Sequence, residues 1–569
     1  MRAKVAGAVH ASLAPGSAPL SLRKTKAGQR NKTLLAVLRY RLHVWGRNDG
    51  GQLANGDMGT NKSAPTEVAF FGGGRKLNEP AIIAVGPSTM AAVTINGQLL
   101  TWGDNTHEML GDGGKQARAQ RPARVQFLDA TKKLPILVSS VAFGDTFALA
   151  IIDDLAGCLV SWGSDPSGDG VLGLGVNSEG APYTGVRNPS RVALDEPAAR
   201  IACGSSHAIV VTTRGNVYGW GCGGAGRLGG GSELGSATPR AVSAPDVAFA
   251  VACGAESTVV LVGHEPRDLV TSASRRGGEV GGLALVCGRV ASDAALPSSV
   301  RLTAAGGDAS SAKCIAVAAA GRHALLLTED GGVLSWGDGH CNGLTIAADA
   351  AEPTAMDDLA SAGISATAVA CGFSTSLVLT SHGNILAWGR NKFGQCGTGT
   401  FLKQPYASWV APAEPGATTA VEAFPLSERF VAVAISEHSS AALVVHDADG
   451  VADRTEERER FFSATGRGRA APATREELRA VFDAFDVDGG GDISIGELVP
   501  MLAKLGIASE RAEVRRLFDQ YDDDGNGVLD FDECARLRFM YVLYVSVLYV
   551  VYVVFFMYAP SPSLHPTTA

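Results

Sequence analysis

The chain has 569 residues, of which 46% are hydrophobic, enough for several cores and a soft expectation of about three or four domains. Its 70 glycines follow no collagen period, and its ten cysteines show no short-spaced pairs of the zinc type and nothing that argues for disulfides, as suits a reducing compartment. The net charge of −8 is uneven: residues 474–538 carry sixteen acids against eight bases, which points to a cation rather than a nucleic acid as ligand.

Residues 1–41 form a basic leader with nine Lys and Arg, no acid, and Ser12, Ser17, Ser21 and Thr25. That composition suits an organellar transit peptide; a disordered basic tail or a misplaced start codon are the alternatives.

From residue 42 to 447 a Trp-Gly couplet recurs, at Trp45, Trp102, Trp162, Trp220, Trp336 and Trp388, with gaps of 57, 60, 58, 116 and 52 residues. The long gap contains Cys287-Gly288 in the same local context, so seven units are expected, one of them degenerate. A period of about 40–50 residues or slightly more marks a propeller or an array. A second column precedes the couplet, at Thr89, Phe147, His207, Ser257, His323, Thr375 and, as the last member, His438. Between the columns lie apolar, β-branched runs separated by a turn glycine (Gly215, Gly331, Gly383), the pattern of a tight hairpin. The chain opens on a Trp-Gly half-unit and ends on a column residue, so the halves around Trp45 and His438 are expected to pair and close the ring without a free sheet edge.

Cys203-Gly-Ser-Ser-His-Ala-Ile-Val-Val-Thr with Gly215-Asn-Val-Tyr-Gly-Trp-Gly, and Asn384-Ile-Leu-Ala-Trp-Gly-Arg-Asn-Lys-Phe-Gly-Gln-Cys-Gly, resemble the regulator of chromosome condensation repeat. The resemblance covers 42–447 and implies an all-β seven-bladed propeller that docks protein partners on one face. The family's founding member promotes nucleotide exchange on a small GTPase, but no motif locates an exchange loop in this chain. The tryptophans read as packing between blades, and the column histidines as equivalent positions on separate blades rather than a shared metal or catalytic site. Cys203, Cys253 and Cys371, each in Ala-Cys-Gly, read as small buried side chains. With no nucleophile elbow, P-loop or zincin motif, the chain reads as a non-enzyme, and no direct nucleic-acid motif occurs.

Residues 448–473 are charged, ending in Gly466-Arg-Gly-Arg-Ala-Ala-Pro, and read as a solvated linker whose first half has helical character.

Residues 474–538 hold two twelve-residue loops that begin 36 residues apart. In the second, Asp522, Asp524 and Asn526 supply oxygens from positions 1, 3 and 5. Gly527 makes the bend, Val528 offers its carbonyl, Asp530 acts through water, and Glu533 binds with both oxygens. In the first, Asp486, Asp488, the Asp492 carbonyl, Ser494 and Glu497 would serve around Gly491, while Gly490 at position 5 lacks a side-chain oxygen, so weaker affinity is expected there. Leu478, Val481, Phe482 and Phe485, and again Val514, Leu517, Phe518 and Tyr521, fall at helical spacing before the loops. Ile493 and Leu529, at position 8 of each, are expected to pair as short strands. The whole resembles a paired EF-hand lobe, a small all-α domain whose cofactor would be Ca2+.

Residues 539–559 are uncharged and long enough to span a bilayer, which with only the tail 560–569 beyond would make a membrane tail anchor and leave the other domains cytoplasmic. The near-repeating Tyr-Val units also fit translated low-complexity DNA. The resulting expectation is a calcium-responsive protein-interaction scaffold. The alternatives are a calcium-controlled exchange factor for a small GTPase and a passive calcium buffer.

Overall fold

The computed structural model describes residues 40–465 except 73–78, 126, 128–135, 153–156, 265–280, 290–298, 305–311, 340, 345–348, 402, 411–426 and 448, and beyond them residues 482, 486, 490–497, 499, 515 and 527–530. The chain divides into one unit ending at Phe461 and a second from Phe462 onward. The leader and the 539–559 and 560–569 segments lie outside the described residues. Among the described residues no helix is long and apolar enough to cross a membrane.

Each repeat folds as an antiparallel meander because its apolar runs are too short for helices and are broken by glycine turns. β1 (Arg41–Gly46) and β2 (Lys62–Glu67) come first. Three four-stranded sheets follow: β3 (Pro80–Val85), β4 (Thr89–Thr94), β5 (Leu99–Asp104) and β6 (Arg118–Arg124); β7 (Val138–Phe143), β8 (Phe147–Ile152), β9 (Cys158–Ser164) and β10 (Gly185–Arg191); β11 (Ala198–Cys203), β12 (His207–Thr212), β13 (Val217–Gly221) and β14 (Ser236–Val242). Next, β15 (Ala248–Cys253), β16 (Glu256–His264), β17 (Gly281–Arg289), β18 (Ser299–Ala304), β19 (Cys314–Ala320), β20 (His323–Thr328), β21 (Val333–Gly337) and β22 (Ala350–Ala355) share one eight-stranded sheet. A further four-stranded sheet holds β23 (Ala366–Cys371), β24 (Thr375–Thr380), β25 (Ile385–Gly389) and β26 (Gln404–Trp409). Finally, β27 (Glu428–Ile435) and β28 (Ser439–His446) join the first two strands in the order β2-β1-β28-β27.

The molecule is thus a β-propeller, with five discrete four-stranded blades where the sequence predicts seven. The difference has a local cause. β16 and β17 run nine residues each instead of the usual five to seven, and the overrunning start of β17 pairs Gly282 with Cys314 of β19, which stitches two groups of strands into one sheet. The first strands adjoin one another in a circuit, β3 to β7, β11, β15, β19, β23 and β27, and β27 adjoins β3.

The second strand of most meanders is buried along its whole length, as in Phe147–Ile152, His207–Thr212 and Thr375–Thr380, because neighbouring sheets cover both of its faces. The couplet glycine has a specific job. At Gly221 φ is +96°, and a Cβ there would stand 2.6 Å from the Ser206 carbonyl oxygen. The strand can follow its neighbour only if this residue has no side chain.

Closure occurs at the expected place, with β1 running antiparallel to β28. The register corrects one column member: Gly46 faces Ser439, as Gly103 faces Thr89 and Gly389 faces Thr375, so the seventh member is Ser439 and not His438. The hydroxyls agree, since Thr89, Thr375 and Ser439 donate to the carbonyls of Asp104, Arg390 and Arg47, each the residue after a couplet. The sequence led one residue astray because His438 copies the histidine of other units while Ser439-Ser440 offers no aromatic landmark.

The start of the expected linker is not a solvated connector. Val451–Thr465 is a helix, and within the propeller unit it buries Arg454, Glu457 and Phe461 completely or nearly so. Phe461 meets Trp409 edge-on at 5.2 Å, and the Arg458 guanidinium lies 5.7 Å from the centre of the same indole. Arg454 donates to the Asp447 carboxylate at 2.8 Å and to its carbonyl at 2.5 Å. Mixed charge reads as solvent-facing unless the partners that satisfy it can be seen.

Candidate metal centre and the residues between blades

The two acidic loops are tied at their midpoints. β29 (Asp492–Ser494) and β30 (Val528–Asp530) pair antiparallel, with Ile493 opposite Leu529, as the spacing predicts. Ile493 is fully buried, as is Phe482, whose carbonyl accepts the Asp486 amide at 2.9 Å. Gly491 and Gly527 take φ of +87° and +83° at the two bends.

Within the first loop, the Asp486 carboxylate accepts the Gly490 and Gly491 amides, each at 2.8 Å, one on each oxygen. This folds the loop back on its first ligand position and leaves further lone pairs on both oxygens for an ion. Glu497 accepts from both the Ser494 amide (2.9 Å) and the Ser494 hydroxyl (2.7 Å), so one carboxylate oxygen holds the residue just before the helical residues 495–497. The position-12 carboxylate is therefore held in place at the helix start. Asp492 and Val528 sit on the paired strands, their carbonyls at position 7 of each loop, and Asp530 pairs with Asp492. Asp488, Asp522, Asp524, Asn526 and Glu533 lie outside the described residues. Among the described residues no three His, Cys, Asp or Glu side chains converge as a metal-holding group. The donor set of the first loop, all oxygen and built around a glycine bend, fits a hard divalent cation of the calcium type.

Between blades the tryptophans act as pegs. Their indole Nε1 atoms donate to carbonyls of the preceding sheet: Trp45 to Gln395, Trp102 to Gln52, Trp162 to Met109, Trp220 to Val171 and Trp388 to Cys341, at 2.8–2.9 Å. Where Cys287 replaces tryptophan, the corresponding carbonyl, that of Arg227, accepts from the Thr258 hydroxyl at 2.7 Å and the Cys287 thiol at 3.4 Å. Two column histidines extend the pattern across the blade boundary. His207 Nε2 lies 3.0 Å from the Thr258 hydroxyl, and His323 Nε2 lies 2.8 Å from that of Ser376. Since Thr258 gives its proton to Arg227, His207 must donate from Nε2. Burial depresses both imidazoles, His207 to about 3 and His323 to about 4, so they stay neutral. Burial likewise pushes the Cys287 and Cys341 thiols up to about 12 and holds Cys203, Cys253 and Cys371 well above the usual thiol range, which makes them inert packing groups.

The helix contacts escaped the sequence reading. Glu457 accepts from the Thr380 hydroxyl (2.7 Å) and the Asn384 amide (2.8 Å), and its other oxygen lies 3.0 Å from His382 Nδ1. The signal available was the recurrence of Thr-x-basic-Gly-Asn at 212–216 and 380–384.

Family comparison matches the Regulator of chromosome condensation (RCC1) repeat at residues 96–151, 214–261 and 382–443, and, in a second form of the repeat, at 198–227 and 366–395; an EF-hand domain pair matches residues 475–537. Among similar proteins, mouse serine/threonine-protein kinase Nek9 is 31% identical over 36% of this chain and 20% of its own length. Human E3 ubiquitin-protein ligase HERC2 is 29% identical over 68% of this chain and 7% of its own length, so the chain spans only a small part of either relative. The crystal structure of Prp20p from Saccharomyces cerevisiae superposes with a TM-score of 0.58 at 18% identity, covering 74% of this chain and 95% of that one, a likeness of fold. The chain therefore carries RCC1 repeats folded as a β-propeller together with an EF-hand domain pair.

Proposed function

We propose that this protein is a calcium-responsive interaction scaffold, a seven-bladed propeller that docks protein partners while an EF-hand pair senses calcium. The observation that carries the reading is the pairing of β29 with β30, which couples the two loops so that an ion in one is felt in the other. The count of seven is supported by the closed circuit of first strands, with the eight-stranded sheet taken as two blades joined at Gly282 and Cys314. The neutral, hydrogen-bonded state of His207 and His323 between blades supports a packing role for these two residues. The ligands would be Asp486, Asp488, the Asp492 carbonyl, Ser494 and Glu497 in one loop, and Asp522, Asp524, Asn526, the Val528 carbonyl, Asp530 and Glu533 in the other. In sensor EF-hands calcium opens the helix pair and exposes an apolar groove.

Calorimetric titration of the full chain with calcium, followed by hydrogen exchange over residues 475–537, tests the reading. Binding at both loops with a large change in protection supports a sensor; binding with little change indicates a buffer; no heat at millimolar calcium removes the proposal. The second reading is a calcium-controlled exchange factor. What favours it is the likeness in fold to Prp20p, a protein with binding properties toward Gsp1p and histones. Calcium-dependent acceleration of nucleotide release from a small GTPase would decide for it.

A further inference from the structure

Two hairpin turns on different blades are built alike, and each holds a glutamate. In the turn Thr212–Asn216, the Thr212 hydroxyl donates to Glu196 at 2.7 Å, the Asn216 amide donates to both of its oxygens at 2.9 and 3.0 Å, and Arg214 stands 3.7 Å away. In the turn Thr380–Asn384, the same positions supply the Thr380 hydroxyl, the Asn384 amide and His382, all directed at Glu457. The sources of the carboxylate differ. Glu196 comes from the connector immediately before β11. The equivalent position before β23 is Ile364, as the matching bonds Thr213 N to Pro197 O and Ser381 N to Ser365 O establish. This blade lacks the carboxylate its turn is built to hold, and the helix Val451–Thr465 delivers one from outside.

The slot is more than a lone ion pair. Asn384 also donates to the Arg454 carbonyl (3.1 Å) and accepts from Arg458 Nε (2.9 Å), so its amide reads the helix backbone and a side chain one turn on. Trp409 receives Phe461, four residues beyond Glu457. The Glu457 side chain is 1% exposed, whereas Glu196, held in its own blade, remains 15% exposed.

We propose that Thr380, His382, Asn384 and Trp409 form a peptide-binding site on the propeller for a helix carrying a glutamate with an aromatic residue four positions later. Residues 451–461 are its built-in ligand. A helix of the same pattern on a partner protein takes their place. The partner is defined by what the seated segment shows: one carboxylate fully desolvated among three donors, an aromatic ring against an indole, and an arginine between them. The site lies wholly within the unit that ends at Phe461 and does not depend on the calcium reading.

The test uses the full chain and a fluorescent peptide with the sequence of residues 449–465. Glu457→Ala in the protein empties the carboxylate slot; the labelled peptide is then expected to bind the variant and not the unaltered chain at the same concentration. A peptide carrying Glu457→Gln is expected to bind about tenfold or more weakly, the usual worth of a charge-assisted hydrogen bond. Because Glu457→Ala removes a buried, hydrogen-bonded carboxylate, hydrogen exchange on the unaltered chain is the second measurement: excess peptide should accelerate exchange across 451–461, and the Gln peptide should not. Equal binding of the two peptides, or neither binding to the variant nor acceleration in the unaltered chain, overturns the proposal.

Discussion

The Thr258 hydroxyl donates to the carbonyl of Arg227 at 2.7 Å, in the place where other blades offer that carbonyl to a tryptophan indole. Ser440 and Ser376 occupy the same strand position and donate to Gln395 and Cys341, but there Trp45 and Trp388 share the acceptor. The degenerate unit has kept the acceptor and the hydroxyl and has only the weaker Cys287 thiol in place of the indole.

A difference in mutational cost follows. Thr258→Ala leaves a buried carbonyl with only a weak thiol donor and removes the acceptor of His207 Nε2–H, so about 2–3 kcal/mol should be lost. Ser440→Ala leaves the Trp45 indole in place and should cost about 0.5–1 kcal/mol. Denaturant unfolding of the two variants measures the difference; equal losses would contradict the reliance of the Arg227 carbonyl on Thr258.

Acid should destabilise the propeller through its buried imidazoles. His43 and His207 are lowered to about 3 and His323 to about 4, chiefly by burial, from an ordinary value of 6.5. Between pH 6.5 and about 4 the unfolded chain binds the protons that the folded chain refuses. Stability is therefore full above pH 6.5 and falls as the pH is lowered, by about 1.4 kcal/mol per pH unit for each histidine. His207→Gln should make the slope shallower by one such increment, read from unfolding midpoints between pH 4.5 and 7.

Gly204 is expected to reject a methyl group. A Cβ there would lie 2.2 Å from Cε1 of His207 and 2.5 Å from the carbonyl of Gly254, so Gly204→Ala must displace the imidazole or its neighbour, at about 1–3 kcal/mol. Gly230, with nothing within 4 Å of its would-be Cβ, is the control, and Gly230→Ala should be near neutral by the same unfolding measurement.

The first acidic loop can be improved. Gly490 donates its amide to Asp486 and contributes no side-chain oxygen at position 5. Gly490→Asp adds that oxygen and an extra charge, and calorimetry should show calcium binding about tenfold tighter at this loop alone. An unchanged affinity would mean that the loop does not bind calcium in the expected register.

Much of the fold was legible because its chemistry is local. Trp-Gly fixes a strand and a positive-φ exit, Gly215 and Gly383 fix hairpins, and the half-units at the ends foretell the pairing of β1 with β28. Position 8 of each acidic loop likewise foretold Ile493 opposite Leu529. What escaped was set by distant partners. The slip from Ser439 to His438 came from trusting a residue type over a register that only Gly46 fixes. The merging of two strand groups turns on one pairing, Gly282 with Cys314, that no periodicity encodes. Glu457 sits in a run of mixed charge, and its burial depends on Thr380 and Asn384, more than seventy residues earlier.

The position of β1 between β2 and β28 also governs when the protein can become whole. Strand partners separated by nearly four hundred residues cannot meet until the later one has been made. At ordinary synthesis rates of about 5–20 residues per second, β1 waits for roughly 20–80 s with one side unpaired. During that interval the nascent chain presents an open edge to any extended segment, its own or a neighbour's. Ring closure is a late event in the life of each molecule, and a holding chaperone at the ribosome would have most to do for β1.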